Sequence, residues 1–267
     1  MIDTQRFEKA IQQLEEAKDR EPELFSYYQF YQDIFRLQAE AIATIGEELV
    51  MADKKTLKQR AQQGLSQLSF SDLPIKPARF TEQALKLANT LLEHQGGDEN
   101  ELSLADVDWV SLARERFENG RCDAAPDLIE LAAELATAPY LEWASEQTMP
   151  HIFKIPWIKG SCPVCDGEPN FAYLEGEVES RWLVCSRCRA VWQHNRVECP
   201  FCENKESAKL KYYPAGKEKA HRLYVCDVCH RYLKAVDLRV AGMDSVNMVE
   251  PVLTWSLDTA ARDIGYV

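Results

Sequence analysis

The 267-residue chain is 46% hydrophobic and 28% charged, the balance of ordinary globular protein in one large or two medium domains. It contains no run of eighteen apolar residues, and residues 1–6 lack the basic and apolar regions of a secretory signal, so a cytosolic protein with reduced thiols and no membrane insertion is expected. The net charge is −12, with 15 Lys+Arg against 28 Asp+Glu in residues 1–150 and 16 against 15 in residues 151–267. Such a chain gains little from the phosphate contacts that supply most nucleic-acid affinity, which argues against DNA or RNA as a partner.

Residues 3–19 place Phe7, Ala10, Ile11 and Leu14 three or four apart, one face of an amphipathic helix. Pro22 suits the first turn of a second helix, running to about residue 51, whose Phe25, Tyr28, Tyr31, Ile34 and Phe35 read as a packing face and not as a cofactor box. Residues 54–68, with Lys54, Lys55, Lys58 and Arg60 close together, have the pattern of a solvated basic helix face. Pro74 and Pro77 mark a linker over residues 71–77. A helix over residues 80–95 stops at Gly96-Gly97, and Ser103 is placed to cap the next, which carries Trp109, Ala113 and Phe117 and ends at Gly120. Residues 124–138 form another, which Pro139 is expected to interrupt before residues 140–147. No catalytic constellation emerges from this half: His94 stands alone, the carboxylates are spread over solvated faces, and Cys122 reads as a small buried side chain.

Composition shifts at residues 149–150. Residues 151–159 are apolar and proline-containing, an expected extended connector, and beyond them the period becomes that of strands. Residues 181–184 lead into Cys185 and residues 190–192 leave Cys188. Residues 209–213 and 222–225 flank a turn at 214–217, and residues 231–238 leave Cys229. A turn at Gly242 precedes a closing helix over residues 250–264. The expected fold class is α+β: an N-terminal multihelical bundle, then two small rubredoxin-like (zinc-ribbon-like) β-hairpin metal modules and a C-terminal helix. The corresponding boundaries are an acidic helical domain at 1–150, connector and first module at 151–198, second module at 199–240 and the helix at 241–267.

Eight of the nine cysteines fall into four Cys-x-x-Cys pairs: Cys162/Cys165, Cys185/Cys188, Cys199/Cys202 and Cys226/Cys229. Two thiolates spaced so can grip one ion from the same side, and a second pair completes a tetrahedron of sulfur. Sequential grouping is the simplest reading, Cys162, Cys165, Cys185 and Cys188 in one site and Cys199, Cys202, Cys226 and Cys229 in the other; an interleaved grouping stays open. Four protein ligands leave no position for substrate or water, so such sites are structural or electron-transferring. Thiolate ligands suit zinc and equally a single iron. His194, His221 and His230 are not needed as ligands, and four copies of a thioredoxin-like redox pair would be hard to explain.

At these residues the sequence resembles the FdhE-type family of formate dehydrogenase accessory proteins. The resemblance lies in Cys162-Pro163-Val164-Cys165, in residues 181–188 from Arg181-Trp182 to Cys188, and in Trp192 and residues 196–199. It continues through Cys202, Cys226-Asp227-Val228-Cys229, Tyr232-Leu233-Lys234 and the ending at residues 258–266. It implies a cytoplasmic, non-catalytic factor that is required for active respiratory formate dehydrogenase and binds its catalytic subunit, with all eight paired cysteines holding two metal ions, iron or zinc. A rubredoxin-type electron carrier and a zinc-ribbon nucleic-acid binder are the alternatives. The glycine that often follows the second cysteine of such a knuckle is absent: Asp166, Arg189, Glu203 and His230 stand there.

Overall fold

A computed structural model describes residues 4–46, 52–95, 103–122, 125–243 and 248–267. The chain divides into two compact units, Met1–Met51 with Ser69–Ala144, and Ala52–Leu68 with Ser145–Val267. The expected stop at Gly96-Gly97 lies outside the described residues.

The first unit is helical: α1 (Gln5–Arg20), α2 (Phe25–Ala43, entered through a 3-10 turn at Pro22–Leu24), α4 (Pro77–Gln95), α5 (Trp109–Asn119) and most of α6 (Asp127–Ile152). α3 (Lys54–Gln62) belongs to the second unit. The apolar stripe of α1 is buried at Phe7, Ala10 and Leu14, and α4 buries Phe80, Ala84, Leu87, Ala88 and Leu91. α2 is shorter than its composition suggests. α5 starts later than Ser103: a 3-10 turn at Leu104–Asp106 intervenes, and Asp108 caps the helix by accepting from Ser111 N–H at 3.1 Å. Gly120 ends α5 with φ of 80°, the left-handed cap that glycine adopts without strain.

α6 departs most from expectation, because it runs unbroken through Pro139 and on through Pro150 to Ile152. A proline inside a helix removes the N–H that would bond the carbonyl four residues back, here that of Leu135. The side chain of Gln38, buried on α2, supplies the missing donor, its Nε2 lying 3.1 Å from Leu135 O. The expected connector at residues 151–159 therefore begins as helix, and only from residue 155 is it irregular.

In the second unit, β1 (Pro169–Glu175), β2 (Ser180–Cys185), β3 (Val191–His194), β4 (Leu210–Ala215), β5 (His221–Cys226) and β6 (Tyr232–Asp237) form one sheet in the order β3-β2-β1-β6-β5-β4. Each half is an antiparallel three-stranded module, and the two are joined by the parallel pair β1–β6, with Phe171 opposite Lys234 and Tyr173 opposite Val236. The first strand of one module thus pairs with the last strand of the other, a side-by-side repeat. On one face Phe171, Tyr173, Val184 and Val236 pack together, and further along Leu223 and Val225 pack on Leu257 and Ala261 of the closing helices. Those helices are α8 (Glu250–Leu253) and α9 (Trp255–Asp263), broken at Thr254 where one helix was expected; the turn at Gly242 follows the short α7 (Leu238–Ala241). The basic segment after Asp53 stays helical only to Gln62; beyond it, Gln67 and Leu68 donate their N–H groups to the carbonyls of Pro163 and Val164.

Candidate metal centres

The four Cys-x-x-Cys segments fold into one repeated knuckle. The first cysteine of each donates its N–H to the carbonyl five residues on: Cys162 to Gly167, Cys185 to Ala190, Cys199 to Asn204 and Cys226 to Arg231, at 2.8–3.1 Å. In three of them its carbonyl accepts from the residue four on: Asp166, Glu203 and His230. Closing so tight a loop needs a left-handed residue just after the second cysteine. Asp166, Arg189, Glu203 and His230, in the four places where glycine is missing, have φ of 58°, 54°, 59° and 56°. Backbone N–H groups then turn towards sulfur: Val164 N lies 3.4 Å from Cys162 Sγ, and Arg187 N lies 3.4 Å from Cys185 Sγ.

The sulfurs gather sequentially. Cys162, Cys165, Cys185 and Cys188 form one cluster and Cys199, Cys202, Cys226 and Cys229 the other, with the ligand atoms of each within 4.8 Å of one another. Across the first cluster Cys162–Cys188 and Cys165–Cys185 are both 3.5 Å; across the second Cys199–Cys229 and Cys202–Cys226 are both 3.7 Å. A tetrahedron with metal–sulfur bonds of about 2.3 Å has edges of about 3.8 Å, so both donor sets fit a tetrahedral thiophilic ion, and the spacings are far beyond a disulfide bond of about 2.05 Å. Each cluster could hold one metal ion. Burial pushes the thiols of Cys162 and Cys188 well up, with hydrogen bonding among the sulfurs adding to the shift at Cys162. Burial also acts on Cys185, yet hydrogen bonds from the other three thiols and from Cys188 N–H bring it well below the usual thiol value. One thiolate among neutral neighbours is what a buried cluster tolerates alone; a divalent cation compensates the rest, so loading releases protons.

The two centres differ in exposure. All four sulfur residues of the first are buried, whereas Cys202 is exposed and Cys229 half-buried in the second. Neighbouring groups hold the knuckles in place. Arg231 forms a fork onto Glu168, with both bonds at 2.6 Å, and its guanidinium lies 3.8 Å from the Phe201 ring, tying the fourth knuckle to the first and third. Asp227 accepts from Tyr266 Oη and pairs with Lys211, both at 2.7 Å, while Val267 N–H donates to His230 O. Tyr232 Oη and Lys234 Nζ both donate to Asp258, at 2.7 and 2.6 Å, fastening α9 to the sheet. Gly160 and Gly167 are fixed by close approach: a Cβ on Gly160 would fall 1.8 Å from Pro200 O, and one on Gly167 would fall 3.0 Å from Cys185 Sγ.

None of the histidines joins either cluster. His221 Nε2 lies 2.6 Å from Glu250, His230 rests near the Tyr266 ring, and His194 is buried beside Arg181. Cys122 is a buried thiol 3.5 Å from Leu112 O, and His94 lies 3.2 Å from Asp33. Arg231, Glu168 and Arg181 were missed as contributors; a charged residue next to a knuckle carries no local signal of the distant group it will meet. No helix among the described residues is long and apolar enough to cross a membrane.

No protein-family model matches the chain. A protein of Aquifex aeolicus described as an FdhE homolog is 26% identical over 97% of this chain and 92% of its own length. FdhE homologs of Stutzerimonas stutzeri and Rhizobium meliloti are 30% and 27% identical over 39% and 42% of this chain, and 35% and 38% of theirs. The crystal structure of the FdhE protein from Pseudomonas aeruginosa superposes with a TM-score of 0.68 at 18% identity, covering 100% of this chain and 94% of that one, and thus shares the fold. Near-full-length similarity to an FdhE homolog, a fold shared with an FdhE protein and two sequentially built four-cysteine clusters converge: the chain resembles the FdhE-type proteins over nearly its whole length.

Proposed function

We propose that this protein is a non-catalytic accessory factor for respiratory formate dehydrogenase, acting in the cytoplasm by binding the catalytic subunit. In this reading Cys162, Cys165, Cys185, Cys188, Cys199, Cys202, Cys226 and Cys229 hold two metal ions, iron or zinc. The observation that carries it is a pair of closed four-sulfur clusters in a chain related to an FdhE homolog over 97% of its length. Closed coordination leaves no open position for a substrate, which supports assembly over catalysis. The acidic first 150 residues suit a partner with basic segments, such as a twin-arginine signal region.

The test is co-purification of the metal-replete protein with the formate dehydrogenase catalytic subunit, with and without its signal peptide, together with formate dehydrogenase activity in cells lacking this chain. Capture of the subunit and loss of activity restored by the wild type are expected; no capture of either form and unchanged activity overturn the reading. The exposed Cys202 favours a second reading, an iron-based electron carrier. A colourless, zinc-filled protein from anaerobic purification disposes of it.

A further inference from the structure

The two centres are built alike but stand in different surroundings. Of the eight ligand residues Cys202 is the exposed one and Cys229 is half-buried, whereas Cys162, Cys165, Cys185 and Cys188 are all buried. The residues after Cys202 do not cover it: Glu203, Lys205, Glu206, Ser207 and Ala208 are themselves exposed. The other two cysteines of the second centre, Cys199 and Cys226, line a cavity of about 320 Å³ walled by Phe201, Leu210, Tyr212 and Tyr224. No cysteine of the first centre lines this cavity or the larger one of about 1180 Å³ beside Trp157 and Trp192. Hydrogen bonds to sulfur differ in the same sense. In the first centre Val164 N–H donates to Cys162 at 3.4 Å, and the N–H groups of Arg187 and Cys188 donate to Cys185 at 3.4 and 3.5 Å. In the second the side-chain donor Asn204 Nδ2 lies 3.9 Å from Cys226 Sγ. Such outer partners orient a ligand, and losing one typically costs about ten- to hundredfold in metal affinity.

A closed four-thiolate site has no free position, so an ion leaves it by exchange, an incoming ligand arriving as a cysteine departs. We infer that the second centre is a transfer site: it hands its ion to an acceptor bearing paired thiols, with Cys202 the first ligand to leave, while the first centre keeps its ion as a fixed part of the fold. An acceptor thiol gives up its proton as its sulfur bonds the ion. The bond from Cys202 breaks and its sulfur takes up a proton, and the same exchange at Cys199, Cys226 and Cys229 completes the transfer. No oxidant or reductant is needed. Thiols are the matching acceptor because soft ligands select the ions that cysteine clusters hold. The apolar walls beside Cys199 and Cys226 also admit a neutral thiol more readily than a charged carboxylate. The inference rests on the reading that the eight cysteines hold two ions, and not on a formate dehydrogenase partner.

The experiment mixes the full-length, zinc-loaded protein with an excess of a capped, metal-free peptide carrying two Cys-x-x-Cys pairs. Zinc left on the protein is measured after timed gel filtration, and the cysteines set free are identified by iodoacetamide labelling and peptide mapping. One of the two ions should move at least a hundredfold faster than the other, at a rate proportional to peptide concentration. Label should appear on Cys199, Cys202, Cys226 and Cys229 while Cys162, Cys165, Cys185 and Cys188 stay protected. EDTA, which offers carboxylates and no thiol, should remove the fast ion at least tenfold more slowly than the peptide at equal concentration. Cys202→Ser should speed the fast phase at least tenfold and leave the slow phase unchanged. Transfer of both ions at one rate, earlier labelling of the first centre, EDTA as fast as the peptide, or a fast phase unaffected by peptide concentration or by Cys202→Ser overturns the inference. Fewer than two zinc ions on the freshly loaded protein overturns the two-ion reading itself, and this inference with it.

Discussion

The four left-handed residues behind the knuckles predict an inverted glycine–alanine order. Asp166, Arg189, Glu203 and His230 have φ between 54° and 59°, a conformation that costs a residue with a Cβ about 1–2 kcal/mol, or about 4–8 kcal/mol over the four. Metal binding, worth roughly 10 kcal/mol or more per site, offsets this strain when the knuckles close. In ordinary helix and strand positions glycine is worse than alanine by about 0.5–1 kcal/mol. At Asp166 and Glu203, both exposed, the order should reverse, with Asp166→Gly more stable than Asp166→Ala by about 1–2 kcal/mol and likewise for Glu203. Where loading and folding are coupled, that difference is roughly five- to thirtyfold in metal retention. Equilibrium competition against a chelator, with Asp166 variants reading the first centre and Glu203 variants the second, measures it. Alanine variants that hold metal as well as the glycine variants would refute the reasoning.

Three further outcomes follow from the same structure. Removing the metal should unfold residues 160–240 while the helical unit keeps its helicity, seen as loss of protease protection confined to that stretch with far-UV dichroism near 222 nm retained; an unchanged cleavage pattern contradicts it. Gln38→Leu should destabilise by about 1–3 kcal/mol by orphaning the part-buried Leu135 carbonyl, but the effect should shrink in a Pro139→Ala background, where a helical N–H returns; equal effects in both backgrounds, by urea denaturation, break the link. Burial, and then the Arg181 charge, lower the His194 pKa from 6.5 to about 4. The unfolded chain therefore takes up this proton first, and stability fully present above pH 6.5 falls as pH drops towards 4, by on the order of 3 kcal/mol. Its imidazole resonance in NMR should hold the neutral position down to about pH 4, and titration near 6.5 contradicts this.

Much of the site was legible because its signal is local. A Cys-x-x-Cys pair fixes its own loop, and a two-strand excursion between the pairs of each cluster makes sequential grouping the short route. The amphipathic face of α1 and the helix over residues 80–95 were legible for the same reason. What escaped depends on distant partners. β1 shows no alternation, because Phe171, Ala172, Tyr173 and Leu174 are all buried in the middle of the sheet. The parallel β1–β6 pair joins segments some sixty residues apart, and no periodicity announces it. Pro139 reads as a break because the group that rescues it, Gln38, lies 97 residues away.

The side-by-side repeat also decides where the metal centres stand. β1 and β6 are parallel, and β6 and β4 both run antiparallel to β5, so β1 and β4 start at the same end of the sheet. All four knuckles therefore share that end. Three strand spacings separate one cluster from the other, about 14 Å for strands about 4.8 Å apart. Such head-to-tail pairing is open-ended in principle, since each edge resembles the surface its neighbour used. Here β3 has only four residues, and β4 carries Pro214, which has no N–H to offer another strand. The exposure of Cys202 follows from the same geometry: the second cluster lies against the outer strand β4, largely exposed, whereas the first lies between β2 and the central β1. One repeated unit thus yields an enclosed centre and an accessible one, and the accessible centre is where exchange of metal or contact with a partner can begin.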